Sequence, residues 1–328
     1  MSSYMLRRFA RYGRLCRVGG CFFIKNFNEK SLEKATVTWK SLYTVYSTLC
    51  FCFFFWFEAA FIVQKAYVIT FFSRSFAHSL LFILHTVVSC KIFVNFSAMV
   101  VGSAKLLDFF RKSDTFEKST GFAQPQKRRS PMVRRSLVIV ALVISYVIGI
   151  HLFVGDITNE LPRQWVIAAK VSGYIAGVGF FLYDSLPFVV LMCCNEVLVE
   201  YTHAQLVHFK VCDRSKAACS DLDASRHMET IRINLCQIRK LKDTLNTVWK
   251  WPLAAMSASI LLILCIVLYA VFDGGLFLRD IWIILAYSVY STLCFVEMTF
   301  AQRLKDATKA VLTTDATELT GKRYGPYV

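Results

Sequence analysis

Leu253-Ala-Ala-Met-Ser-Ala-Ser-Ile-Leu-Leu-Ile-Leu-Cys-Ile-Val-Leu-Tyr-Ala-Val-Phe272 runs for 20 residues without one charged side chain. A helix needs about 20 mainly apolar residues to cross a bilayer core, so this stretch reads as one membrane span. Five other runs meet the same condition. Together the predicted spans are 41–63, 76–104, 136–155, 166–197, 252–272 and 281–301. The third contains Leu137-Val-Ile-Val-Ala-Leu-Val-Ile-Ser-Tyr-Val-Ile-Gly-Ile150, the cleanest apolar run of the set. Trp249, Trp251 and Trp282 fall near span ends, where indole rings sit well among headgroups. The fold class is therefore all-α, a polytopic helical membrane protein of six spans.

Composition agrees. Of 328 residues, 56% are hydrophobic and only 18% charged, and mean hydropathy is +0.48. A soluble chain of this length could not hide so much apolar surface in one core. The distribution of basic residues then orients the spans. Nine Lys and Arg lie in 1–40, nine in 105–135, nine in 198–251 and five after 302. The alternate connections hold only Lys65, Arg74, Arg163 and Arg279, and Lys91 and Lys170 lie within spans. So 32 of 38 basic residues share one side, and that side is cytosolic by the positive-inside rule. Adding or removing one span would destroy the alternation. Residues 1–40 are expected as a cytosolic N-terminus, 198–251 as a cytosolic helical insertion and 303–328 as a cytosolic tail. The localisation expected is the plasma membrane.

The same sidedness accounts for the formal charge of +16 without a nucleic-acid partner. Lys127, Arg128, Arg129, Arg134 and Arg135 lead directly into a span and read as topology determinants. Arg7, Arg8, Arg11, Arg14 and Arg17 precede the first acidic residue, Glu29. That pattern fits either a cytosolic lead-in resting on anionic lipid or a mitochondrial transit segment. The 12 cysteines avoid the outer connections and lack paired zinc spacing, so buried free thiols are expected. No metal site and no cofactor follow from them.

The outer connections are about ten residues, too short for a binding ectodomain. The inner ones are long. The second and fourth spans run on as helices through 105–110 and 198–207, and 209–224 is polar enough to be a loop. Met228, Ile231, Leu235, Ile238, Leu241, Leu245 and Val248 then recur at steps of three and four, one apolar stripe that must pack on another helix. Asp223 and Ser225 are candidate caps for its start.

Ionisable residues inside spans are costly and mark structure or function. Glu58, Lys91, Lys170, Asp184, Glu196 and Glu297 qualify. Asp184 stands mid-span beside Tyr183 and before Pro187, where proline frees a carbonyl. It either pairs with Lys91 as an intramembrane ion pair or contacts a ligand. Glu58 and Lys170 lie near outer ends, and Glu196 near a cytosolic end. His85, His151, Tyr174, Tyr183, Tyr269 and Tyr287 gather in outer halves beside abundant Phe. Aromatic walls with a few hydroxyls and imidazoles suit a small organic ligand. The candidate ligand-binding set is thus Asp184, Tyr183, His85, His151, Tyr174, Lys170, Tyr269 and Tyr287. No catalytic motif occurs, and an enzyme is not expected. Two rivals stay open: a secondary solute transporter using Asp184 and Lys91, and a haem-binding redox protein using His78, His85 and His151.

Residue-level similarity to a known family lies in Ile231-Arg-Ile-Asn-Leu-Cys-Gln-Ile-Arg-Lys-Leu-Lys-Asp-Thr-Leu-Asn246, which leads into the fifth span through Trp251-Pro-Leu, and in Glu297 to Leu312. With the long second and fourth helices and short outer loops, this resembles the arthropod gustatory receptors. The resemblance implies a tastant-binding, ligand-gated cation channel, a homo- or hetero-tetramer in the lipid bilayer. It also implies a seventh, pore-lining helix carrying a Thr-Tyr-apolar-Gln signature. After Gln302 this sequence is polar and shows neither. The expectation is six spans with the seventh helix lacking, which leaves open a truncated sequence or a six-helix product.

Overall fold

The computed structural model describes residues 3–27, 32–71, 76–122, 162–215 and 221–273, with Val289 beyond them. The predicted third and sixth spans, the tail 303–328, His151 and Tyr287 lie outside the described residues. The chain is mostly helical. α1 (Tyr4–Val18) leads to a two-stranded antiparallel ribbon, β1 (Ile24–Lys25) with β2 (Thr36–Val37), in which Ile24 pairs with Val37. Then follow α2 (Leu42–Phe71), α3 (Phe76–Val101) and α4 (Ser103–Thr120). Two helices of 53 residues complete the description, α5 (Arg163–Ser215) and α6 (Asp221–Asp273).

At 1.5 Å per residue each of these two is about 80 Å long, far more than a bilayer core requires. Their excess length builds a second, basal layer. There α1, α4, the ribbon and the inner ends of α5 and α6 pack together. Ile231, Ile238, Leu241, Leu245 and Val248 of α6 are buried, and Leu235 packs on the same core. In the upper layer α2, α3, α5 and α6 pack on one another, and α5 buries Phe180, Phe181, Leu186, Val190 and Val197.

By length and composition, three described stretches can cross a membrane: Phe82–Val101, Arg163–His208 and Ser225–Ile266. Leu42–Trp56 and Glu58–Gln64, which meet at a 40° bend, make a fourth if they form one span. The outward faces carry apolar rows at helical spacing. Leu42, Val45, Leu49 and Phe53 are exposed on α2, Ile167, Val171, Ile175 and Val178 on α5, and Leu261, Leu264 and Leu268 on α6. Contiguous apolar surface of this extent fits lipid or a neighbouring helix and is poorly suited to water.

Three local readings change. The polar stretch 209–224 was expected as a loop, but α5 continues to Ser215 and α6 resumes at Asp221. Polar composition does not end a helix when no Gly or Pro interrupts it. Asp223 and Ser225 consequently lie inside α6, which starts at Asp221. The second predicted span is divided at Gly102 into α3 and α4. A Cβ at Gly102 would collide with the carbonyl of Ala98 and lie 2.7 Å from Val248 Cγ1, so the break coincides with a close approach of α6.

Candidate functional site

The sequence-selected residues sit on three helices: His85 and Lys91 on α3, Lys170, Tyr174, Tyr183 and Asp184 on α5, and Tyr269 on α6. α3 and α5 meet at a buried ion pair. Lys91 Nζ lies 2.6 Å from Asp184 Oδ1, and the two side chains are 0% and 2% exposed. Two full charges at such depth hold only as a pair, because removing one leaves the other desolvated and uncompensated. The ammonium also stands 5.8 Å from the centre of the Phe188 ring, whose face favours a cation.

One turn along α3, Asn95 Nδ2 donates to the backbone carbonyl of Asp184 over 3.5 Å. Lys91 and Asn95 are four residues apart and share a helix face, so α3 holds Asp184 by both carboxylate and main chain. Pro187 supplies no N–H to the carbonyl of Tyr183, four residues earlier. The polar junction therefore lies where α5 has lost one of its own ladder bonds.

Aromatic rings close over it. The Tyr183 ring packs edge-on against Phe54 at 5.4 Å and Phe96 at 5.3 Å, with Phe51 at 6.0 Å. Phe51 and Phe96 are themselves 4.5 Å apart. Small size makes this possible at Gly179, where any Cβ would strike the Phe54 ring. The result is an aromatic wall from α2, α3 and α5 around one cation and one carboxylate.

His85 belongs to a separate pair. Its Nδ1 lies 2.5 Å from Glu58 Oε1, six residues before Lys91 and so about 9 Å along α3. Glu58, placed by the sequence near an outer end, is buried, since α2 turns it onto α3. Lys170 and Tyr174 are half-buried, 14 and 10 residues before Asp184, or about 21 and 15 Å along α5. Tyr269 packs edge-on against Phe76 at 4.9 Å, 15 residues from Lys91 and about 22 Å away along α3. The structure thus joins Lys91, Asp184 and Tyr183, sets His85 one level further from the basal layer, and leaves Lys170, Tyr174 and Tyr269 nearer the opposite end of the helices.

A second polar centre, in the basal layer, is built on Glu117, which sequence reading did not select. The Glu117 carboxylate of α4 accepts from the N–H groups of Tyr4 at 2.6 Å and Met5 at 2.9 Å, and from the Tyr201 hydroxyl. It caps the N-terminus of α1 in place of a local side chain. Arg8 lies 3.4 Å from Glu200 and 3.8 Å from Glu196 of α5, and 5.6 Å from the centre of the Tyr4 ring. Burial, and then Glu200 beside it, push the Tyr4 phenol up to about 12. Glu117, between Phe116 and Lys118, gives no hint in the sequence of a partner 113 positions away. Among the described residues, no three His, Cys, Asp or Glu side chains gather as a metal would require.

No protein-family model matches the sequence, and no curated protein matches it. Among solved structures, the chain is similar to the insect olfactory receptor OR5 from Machilis hrabei, determined in complex with eugenol. The superposition has a TM-score of 0.59 and covers 90% of this chain and 79% of that one, at 16% sequence identity. At that identity the likeness establishes a shared fold.

Proposed function

We propose that the chain is a gustatory-receptor-like chemosensory membrane protein that binds a small organic molecule in an outer-half cavity among its spans and, if completed by a seventh pore helix, gates a cation current. The observation that carries this reading is the fold shared with an olfactory receptor that was solved holding eugenol. The chemistry of the α2–α3–α5 junction supports it. Phe51, Phe54, Phe96 and Tyr183 offer apolar area and edge-to-face partners, and Lys91 with Asp184 offers a donor and an acceptor. Such a set suits a small aromatic with one or two polar groups. Asp184, Tyr183, His85, Tyr174, Lys170 and Tyr269, with His151 and Tyr287, are the proposed ligand-facing residues. The gustatory role in particular rests on the similarity of 228–312 to that family. The basic segments 1–40, 105–135, 198–251 and 303–328 face the cytosol of the plasma membrane in this reading, because 32 of 38 Lys and Arg lie there. Assembly as a tetramer, homomeric or heteromeric, belongs to the same proposal.

The experiment is ligand binding to the full chain in phosphatidylcholine nanodiscs, probed with a panel of small phenols and related aromatics that includes eugenol. Saturable binding by at least one member, weakened about tenfold or more by Tyr183→Ala in protein that remains folded, is the expected result. Uptake of every member in proportion to hydrophobicity, equal to that of empty nanodiscs, would overturn it. The transporter reading draws on one observation, the buried Lys91–Asp184 pair. It would be favoured by solute uptake that Asp184→Asn stops while surface expression holds.

A further inference from the structure

α1 presents two unlike faces. Met5, Leu6, Phe9, Gly13 and Cys16 are buried in the basal core. On the other side Arg7, Arg11, Arg14 and Val18 recur at steps of four, three and four, flanked by Leu15 and Arg17, and all six are exposed. Those steps put the first four within an arc of about 60° at 100° per residue. No acidic residue precedes Glu29, so this arc carries positive charge alone.

Its position is fixed at both ends. Glu117 holds the first turn. The last turn is tied to the start of α2, where Tyr43 Oη donates to the carbonyl of Arg17 at 2.8 Å and Tyr46 Oη to that of Val18 at 2.5 Å. Gly20, at φ +76°, lets the chain pass so near α2 that a Cβ there would lie 3.1 Å from Ser47 Cα. Leu42, the first residue of α2, is 89% exposed and begins that helix's outward apolar row. The arginine face therefore ends where the apolar outer surface begins, with Leu15 and Val18 at the seam. Trp39, 44% exposed and stacked on Phe23, stands at the same level.

We infer that this face of α1 is a binding site for anionic phospholipid headgroups in the leaflet adjoining the basal layer. The lipid phosphate and carboxylate groups pair with Arg7, Arg11 and Arg14, while Leu15 and Val18 enter the boundary with the acyl chains. A nucleic acid or an acidic protein would satisfy the charge alone. The apolar residues set among the arginines, continuous with the outer row of α2, are what select lipid. The inference depends on the chain lying in a membrane and is independent of ligand binding or current.

The test uses the full chain in neutral detergent, with native mass spectrometry counting bound phosphatidylserine or phosphatidylcholine. R7Q/R11Q/R14Q should weaken phosphatidylserine binding by at least about tenfold, since each basic side chain at an anionic surface contributes about fivefold. R226Q/R239Q/K240Q, an equal loss of charge on the exposed face of α6, should leave it unchanged, as should added inorganic phosphate. L15N/V18N should weaken it with the charge intact. Melting curves confirm that each variant is folded. Equal loss in the α1 and α6 variants, no loss in R7Q/R11Q/R14Q, or full displacement by inorganic phosphate would overturn the inference.

Discussion

Lys91 and Asp184 face each other 2.6 Å apart where neither is exposed. Removing one partner should then cost more than removing both. We expect Lys91→Met or Asp184→Leu singly to destabilise the purified chain by about 3–5 kcal/mol, with the double variant losing distinctly less. Thermal melting of the four proteins in one detergent measures the coupling. Additive losses would mean the contact is incidental. Glu117 acts differently, accepting two main-chain N–H groups and one hydroxyl. Glu117→Ala should destabilise by about 1–3 kcal/mol and raise amide exchange across residues 4–18 while residues 176–198 stay protected. Exchange that rises equally in both segments would contradict a local clasp.

Helix interruptions carry the argument at the scale of the element. Gly102 ends α3 against Val248, and Val248 precedes Pro252 by one turn of α6. Trp249 is fully buried there, while Trp251 is 67% exposed with Lys250 Nζ 5.4 Å from its ring centre. Both helices thus change character at one level, with an indole placed as an interfacial anchor would be. Gly102→Leu should push α4 and α6 apart and cost about 1–3 kcal/mol, with the larger change in the basal layer. A melting temperature within error of the parent would refute the close contact. The apolar stretches of α2, α3, α5 and α6 were legible because apolar composition persists for about 20 residues whatever the neighbours do. The stripe from Met228 to Val248 was legible for its period. The division at Gly102 was not, since a lone glycine in an apolar helix carries no sign of what approaches it. Nor was the helix through 209–215, where polar side chains hid an unbroken backbone. Lys91 and Asp184 announced themselves singly by their cost in a span, whereas Asn95, Glu58 and Arg8 have partners that only packing reveals.

At the scale of the whole molecule, the apolar upper surface and the basic basal layer divide the chain into a part suited to lipid and a part suited to water and headgroups. The exposed rows on α2, α5 and α6 require an apolar surrounding along much of their length. The same division gives the proposed function its geometry, with small-molecule chemistry among the spans and a helical anchor below them. The most direct measurement is whole-cell recording from cells expressing the natural protein, exposed to small organic ligands while G-protein signalling is blocked. The account predicts an agonist-evoked cation current that persists under the block and that Tyr183→Ala reduces about tenfold in agonist sensitivity. A response that disappears whenever G proteins are blocked would contradict it.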